Sequence, residues 1–166
     1  MAHTFAWQKL VNIDDQSGET LSEIKFTDAK GGTVKIGQES AELFLRLTHT
    51  GDVEVTDCAL KILDRAGTYT TKPVTEKWIS AKCEHKSDSD VTVYDTYTAL
   101  GGTSTNDEIT IGIGQKASEE IKGDKLGKDG DENATAYIQM KAAVPSNAEA
   151  GNYDFKFVLT YSYEAA

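Results

Sequence analysis

The 166-residue sequence predicts a single all-β domain, an antiparallel Ig-like or jelly-roll-like β-sandwich. Two observations predict this fold class. Apolar side chains recur with a period of two along most hydrophobic segments, which is the spacing of a strand with one buried face. Clusters of Gly, Asp and Ser separate those segments at intervals of about 10–15 residues, as in sandwiches and barrels. The length fits one domain, and a chain of this size does not need disulfides or a structural metal to fold.

The first predicted strand is Thr4–Leu10, in which Phe5 and Trp7 lie on one face. An aromatic strand at a chain end either completes the sheet of its own domain or adds to the edge of a neighbouring chain. Both arrangements stay open at this point. If the second applies, residues 1–10 form an assembly arm, and Phe5 and Trp7 are its contact residues.

A series of short strands is predicted through the middle of the chain. The segment Val53–Leu63 changes phase, because Val55 has one parity whereas Leu60 has the other. A β-bulge near Thr56 and Asp57 would let both sets of apolar side chains face one core, since one inserted residue reverses the alternation. The strands predicted in this part are Leu21–Phe26, Thr33–Ile36, Leu43–Thr48, Val53–Leu63, Lys77–His85, Val91–Thr96 and Glu108–Ile113.

The last part of the chain contains two strongly alternating segments, Ala134–Ala142 and Tyr153–Tyr163, joined by a loop with Pro145 and Gly151. One face of the second segment is almost entirely aromatic, whereas the other face is mostly polar. We therefore predict that the two segments pair or face each other across the core and that the aromatic stripe is buried. The predicted core consists of Leu43, Leu45, Cys58, Leu60, Ile62, Trp78, Ile138, Met140, Tyr153, Phe155, Phe157 and Leu159.

Residues 115–133 are polar and rich in Gly, and they predict a long exposed loop, with one or two helical turns over Ala117–Lys122. Asp124, Lys128 and Asp131 are its candidate partner contacts. The acidic stretch from 124 to 133 raises the possibility of calcium binding, but its spacing is not that of an EF-hand loop and two lysines interrupt it. A solvated turn is the favoured interpretation, and no metal is assigned.

The charge balance argues against several partners. The formal net charge is −10 and the calculated pI is about 4.7, whereas a nucleic-acid-binding protein needs a surplus of Lys and Arg on one face. No apolar stretch reaches the roughly 18 residues of a membrane-spanning helix, and the N-terminus has no signal-peptide pattern. We therefore expect neither a nucleic acid nor a membrane as a partner.

Catalytic and metal-binding patterns are weak. The three histidines, His3, His49 and His85, are predicted to be surface or strand-end imidazoles, and no G-x-S-x-G motif is present. Cys58 and Cys83 are predicted to be reduced core thiols, with a disulfide between the sheets left open. The C-x-H spacing of Cys83 and His85 is a poor zinc signal, because zinc sites need about four ligands. The sequence thus predicts a protein that is not an enzyme and has no cofactor.

Several short motifs resemble tailed-bacteriophage and prophage structural proteins. They lie at Met1–Trp7, Gly18–Thr20, Ile24–Phe26 and Gly37–Arg46. The segment Ala143–Phe155 also looks like the P-x-x-A-x-x-G-x-Y ending of many Ig-like virion and filament domains. The resemblance covers about the first third and the last fifth of the chain.

The resemblance implies a particle component with no catalytic role. It suggests a capsid decoration or auxiliary protein, located in the virion and bound in many copies to the major capsid protein or other virion proteins. One alternative is a tail-tube or extracellular filament subunit that assembles by strand exchange. Another, from a different class, is a carbohydrate-binding β-sandwich module or an esterase-like enzyme.

Overall fold

A computed structural model describes residues 2–11, 18–87, 90–93, 97–104, 106–111, 125–131 and 134–164. These residues form two antiparallel β-sheets packed as a sandwich, so the predicted all-β fold class is confirmed. Among them, no helix is long and apolar enough to cross a membrane. In chain order the elements are β1 (Thr4–Leu10), β2 (Glu19–Leu21), β3 (Leu43–Thr50), β4 (Thr56–Leu63), α1 (Lys72–Thr75), β5 (Ile79–Ser87), β6 (Asp90–Val93), β7 (Thr98–Ala99), β8 (Ile109–Thr110), β9 (Thr135–Ala142) and β10 (Lys156–Ser162).

The larger sheet has the strand order β2-β1-β3-β9-β5-β6, with β7 also paired to β5, and the smaller sheet has the order β10-β4-β8. The N-terminal strand β1 therefore lies inside its own sheet. Trp7 is opposite Leu21 on one side and Leu47 on the other. Of the two arrangements left open for residues 1–10, residues 4–10 adopt the intramolecular one, so this segment is a sheet strand rather than a free arm.

The core lies between the two sheets and is built from alternating side chains. Leu45 and Leu47 of β3, Ile138 of β9 and Leu60 of β4 are completely buried. Truncating such a side chain to Ala typically costs about 2–5 kcal/mol of the free energy of unfolding. The core prediction is confirmed for Leu43, Leu45, Cys58, Leu60, Ile62, Trp78, Ile138 and Met140. Cys58 and Cys83 are both buried and both free.

The aromatic stripe of the C-terminal segment is less buried than the alternation predicts. Phe155, Phe157 and Leu159 are half-buried, and Tyr153 is 37% exposed, so its assignment to the core was wrong. The reason is topological. Tyr153 precedes β10, and β10 is the outer strand of a sheet in which the structure describes three strands, so within the described residues only β4 pairs with it.

The predicted β-bulge in β4 is present. Thr160 of β10 pairs with Ala59, but Ser162 pairs with Thr56, so β4 contains one extra residue between these pairs. Asp57 has a positive φ of 52° and lies at this point. The bulge reverses the alternation, which allows Val55 and Leu60 to be buried in one core.

Other local predictions were wrong. After Leu21 the chain follows an irregular path to Leu43, where strands had been predicted at residues 21–26 and 33–36. A tight turn interrupts this segment, because the Asp28 side chain accepts hydrogen bonds from the backbone N–H groups of Lys30 and Gly32. The helix α1 was not predicted either.

The predicted exposed loop at 115–133 is described only over 125–131, and the helical turns proposed at 117–122 lie outside the described residues. Within 125–131, Leu126 is completely buried and forms a two-hydrogen-bond bridge with Val55. The prediction of an exposed segment was therefore wrong at this residue. Leu126 is an apolar residue in a polar stretch. Burial of its side chain next to Val55 stabilises the folded protein, because it removes apolar surface from water.

Candidate functional site

A cleft of about 710 Å³ lies between the two sheets, where β1 and β2 face the beginning of β10. The irregular segment that follows β2 forms one rim, and residues 151–157 form the other. Both the volume and the mixed lining are typical of ligand-binding pockets, which usually measure about 300–1,000 Å³.

The walls of the cleft are aromatic. Side chains from four separate parts of the chain supply them: Trp7, Phe26, Trp78, Tyr153, Phe155 and Phe157. Phe26 and Phe155 lie 6.1 Å apart between ring centroids, and Phe155 and Phe157 form an edge-to-face pair at 5.6 Å. These separations are favourable for aromatic pairs, so the rings support each other around the opening.

Trp78 is positioned by the short turn after α1. Lys77 has a positive φ of 55°, which reverses the chain direction immediately before β5. The Trp78 backbone N–H donates to the Pro73 carbonyl at 3.0 Å, and its indole Nε1–H donates to a Glu76 carboxylate oxygen at 3.2 Å. The indole is therefore held at the base of the cleft, with only 5% of the residue exposed.

Tyr153 forms an exposed platform at the mouth of the cleft. Its ring packs edge-on against Trp78 at 4.8 Å, and its hydroxyl donates to the Glu149 carbonyl at 2.6 Å. Both contacts hold the ring in place although 37% of the residue remains exposed. A ligand can therefore stack on Tyr153 without first ordering it.

The rims carry three cations, Lys25, Arg65 and Lys156, and two carboxylates, Glu23 and Asp154. Arg65 and Asp154 approach within 3.9 Å, but both are more than 60% exposed, so this ion pair is weak. Lys25 and Lys156 form no ion pair with any residue that the structure describes. The lining thus carries charges of both signs, with no marked excess of either.

A caged carboxylate orders the loop that carries Arg65. Asp64 is 2% exposed and accepts hydrogen bonds from the hydroxyl and backbone N–H groups of Thr68 and Thr70, at 2.6–2.9 Å. The hydrogen bond from the Thr70 hydroxyl is the main reason why the pKa of Asp64 lies far below its usual value; burial acts in the opposite direction. The loop therefore has a defined shape beside the cleft.

On the opposite rim, the carboxylate of Asp28 likewise accepts hydrogen bonds that order a turn. Backbone hydrogen bonds, first from Gly32 and then from Lys30, lower the pKa of Asp28. They close the turn whose glycines, Gly31 and Gly32, line the cleft. Both rims are thus shaped by carboxylates that accept local hydrogen bonds, so the residues that line the cleft lie on loops of defined shape.

A second cluster lies at the end of β3 and consists of His3, Phe5, His49, Tyr161 and Tyr163; we call it the histidine cluster. His3 Nδ1 and His49 Nε2 are 2.9 Å apart, and His49 Nδ1 donates to the Gly127 carbonyl at 2.7 Å. The His3 ring lies 4.4 Å from that of Tyr163. His49 is at a strand end, as predicted, but it is completely buried.

The structure places the candidate contact residues in different surroundings. Trp7 lines the cleft, whereas Phe5 is half-buried between His49 and Tyr161, at 5.2 and 5.1 Å between centroids. Lys128 and Asp131 are exposed and belong to one turn, in which the Asp131 N–H donates to the Lys128 carbonyl. Asp124 lies outside the described residues. Phe5 and the loop at 125–131 thus both contact His49, whereas Trp7 lies in the lining of the cleft.

Sequence reasoning missed the cleft itself. Its walls come from segments far apart in the chain, so no spacing pattern joins Phe26, Trp78 and Tyr153. Around Asp64 the sequence indicates only a turn, at Arg65–Gly67, and not the hydrogen bonds that its carboxylate accepts from Thr68 and Thr70. Within the described ranges, no group of three or more His, Cys, Asp or Glu side chains is arranged to hold a metal ion.

Comparisons with known proteins add little. No protein-family model matches this chain, and no curated protein sequence matches it. A solved structure of a family 123 glycoside hydrolase from Clostridium perfringens, reported for glycolipid glycan hydrolysis, is similar at 14% identity with a TM-score of 0.36. The match covers 80% of this chain but 20% of that enzyme, and at this TM-score it assigns neither fold nor function.

Proposed function

We propose that this chain is a non-enzymatic virion structural protein, an auxiliary or decoration protein that binds the surface of a phage capsid and stabilises the shell. The phage-like motifs of the sequence support the class of protein. The observation that supports the mode of binding is the open edge of β10.

β10 is an edge strand without the features that usually prevent pairing with another chain. It pairs with β4 on one side, and no described residue pairs with its other side. It is seven residues long, contains neither Pro nor Gly, and has one charged residue, Lys156, at its beginning. By contrast, the edge strands β2 and β8 have three and two residues. Natural proteins usually protect edges with charges, Pro or short length, so a long open edge is a template for pairing with another chain.

Pairing through β10 suits a protein that is present in many copies. Each copy contributes a modest number of main-chain hydrogen bonds, and attachment at repeated sites on the shell makes the total binding strong. The net charge of −10 keeps free copies apart in solution until they meet a complementary surface.

The test asks whether the purified protein binds assembled shells of a phage major capsid protein. Thr160→Lys places a charge on the exposed β10 edge, and Thr110→Lys makes the same change at an exposed position of β8, on the opposite edge of the same sheet. Wild type and Thr110→Lys should co-sediment with the shells, and Thr160→Lys should bind at least tenfold more weakly. Failure of the wild type to bind, or equal binding by both variants, contradicts the proposal.

A tail-tube or filament subunit is the second candidate, because the same open edge can accept a strand from an identical copy. Electron microscopy of the purified protein separates the two candidates. Monomers or small oligomers are expected for a decoration protein, whereas spontaneous tubes or fibres that Thr160→Lys abolishes would favour the filament subunit.

A further inference from the structure

We propose that the cleft between the sheets binds a short neutral oligosaccharide. The inference does not depend on the role proposed for the β10 edge. Three properties of the cleft lead to this ligand class: the ring surface that it leaves open to solvent, the hydrogen bonds that its aromatic side chains already form, and the mixed charge of its rims.

The first property is the apolar ring surface that remains open to solvent. Phe26, Phe155 and Phe157 stay half-buried after the sheets have packed, and 37% of Tyr153 is exposed. The ring centroids of Phe26 and Phe155 are 6.1 Å apart and those of Phe155 and Phe157 are 5.6 Å apart, so these rings form a continuous series. Pyranose rings have apolar C–H faces that pack against such a surface, and a series of rings offers contacts to more than one sugar unit.

The second property is that Trp78 and Tyr153 direct no hydrogen-bond donor at the cleft. The Trp78 indole Nε1–H donates to a Glu76 carboxylate oxygen, and the Tyr153 hydroxyl donates to the Glu149 carbonyl. Aromatic grooves also bind proline-rich peptides, but the carbonyl groups of such a peptide have no internal partner and need donors from the groove. Trp78 and Tyr153 offer ring surface only, which suits the face of a sugar better than a peptide backbone.

The third property is the charge of the rims, which carry both signs. Arg65 and Asp154 lie 3.9 Å apart, and both side chains are more than 60% exposed. Glu23 and Lys25 follow β2 on the other rim. Each rim thus holds a carboxylate and a cation, so an anionic or a cationic ligand would meet a like charge on either side. A sugar hydroxyl both donates and accepts hydrogen bonds, so it can bind groups of both kinds without carrying a charge.

Fluorescence titration tests the inference, because the two tryptophans of the chain, Trp7 and Trp78, both line the cleft. The neutral probes are cellotetraose, maltotetraose, mannotetraose and tetra-N-acetylchitotetraose, and the acidic probe is tetragalacturonate. Titration runs to about 10 mM, which saturates a site with a Kd of about 1 mM. We expect a saturable change with at least one neutral probe, no marked dependence of its binding on salt, and weaker binding of tetragalacturonate.

Matched variants locate the binding. Tyr153→Ala should weaken binding of the neutral probe about fivefold or more, because it removes the exposed ring from the cleft. Tyr161→Ala is the control, since Tyr161 is also 37% exposed but does not line the cleft, and this variant should bind like the wild type. Asp154→Ala removes an exposed rim carboxylate and should weaken binding about threefold or more. Thermal unfolding of every variant separates a loss of binding from a loss of folding.

Four outcomes would overturn the inference. They are the absence of saturable binding by every neutral probe, binding of tetragalacturonate as tight as that of the neutral probes, equal binding of an oligoproline peptide, and equal losses of binding in Tyr153→Ala and Tyr161→Ala. Thr160→Lys leaves the cleft lining intact and should retain binding of the neutral probe. The inference about the cleft and the proposal about the β10 edge can therefore fail independently.

Discussion

His3 and His49 are joined by a hydrogen bond between Nδ1 and Nε2 at 2.9 Å, which connects the N-terminus to the end of β3. The direction of this bond follows from a second contact. His49 Nδ1 must donate to the Gly127 carbonyl, because a carbonyl only accepts, so in neutral His49 the Nε2 atom accepts from His3. One buried imidazole thus links three segments of the chain.

Replacing the fully buried imidazole of His49 should destabilise the protein far more than replacing its half-buried partner, His3. His49→Ala removes a fully buried side chain and leaves the Gly127 carbonyl without its donor, so we expect a loss of about 2–4 kcal/mol in the free energy of unfolding. His3→Ala affects a half-buried residue and should cost about 1 kcal/mol or less. Urea unfolding measures both; equal, small effects would show that His49 is not packed as described.

A methyl group at Gly51 should disturb the same cluster. A Cβ at this position would lie 2.5 Å from His3 Nδ1 and 2.9 Å from His49 Nε2, distances that real Cβ atoms do not tolerate. Gly51→Ala should therefore lower the midpoint of thermal unfolding. Gly151→Ala is the matched control, because its Cβ would meet no atom within 4 Å, and it should be neutral or slightly stabilising. The prediction fails if the two variants unfold at the same temperature.

The Asp64 cage should make stability depend on pH in a defined direction. Because its hydrogen bonds lower the pKa of Asp64 in the folded protein, its stabilising effect is fully present above the unfolded pKa of about 3.9 and decreases as the pH falls below it. Asp64→Asn should therefore lower the unfolding midpoint by several degrees at pH 7, and the gap from the wild type should narrow below about pH 4.

The control for this pH series is Asp131→Asn, which removes the same charge from an exposed turn. It should have little effect at pH 7. A gap for Asp64→Asn that stays constant between pH 7 and pH 3 would contradict the role assigned to the carboxylate.

Leu126 should anchor the polar segment that follows the undescribed residues 112–124. It is fully buried and bridges to Val55, so Leu126→Ala should cost about 2–5 kcal/mol of the free energy of unfolding. Lys125→Ala removes an exposed side chain with a 3.9 Å ion pair to Glu54 and should cost less than about 1 kcal/mol. Similar losses for the two variants would mean that Leu126 does not fill the core.

Much of the sandwich was predictable because strand alternation is a local property. Leu43, Leu45, Ile138 and Met140 were assigned to the core from period alone, and the reversed parity around Asp57 located a bulge that the register of β4 and β10 confirms. The irregular segment after Leu21 was mistaken for strands, because its side chains alternate while the backbone turn at Asp28 prevents regular pairing.

The sequence by itself determined the all-β class and the faces of the main strands, because these depend on residues two positions apart. Only the tertiary structure decided which strands lie at an edge, that Thr4–Leu10 lies inside its own sheet, and that Tyr153 is exposed. The tertiary structure also determined where the cleft lies and that His49 is buried. Both features depend on segments that come together only after the sheets have packed. Contacts between distant segments depend on strand order, and no local pattern encodes that order.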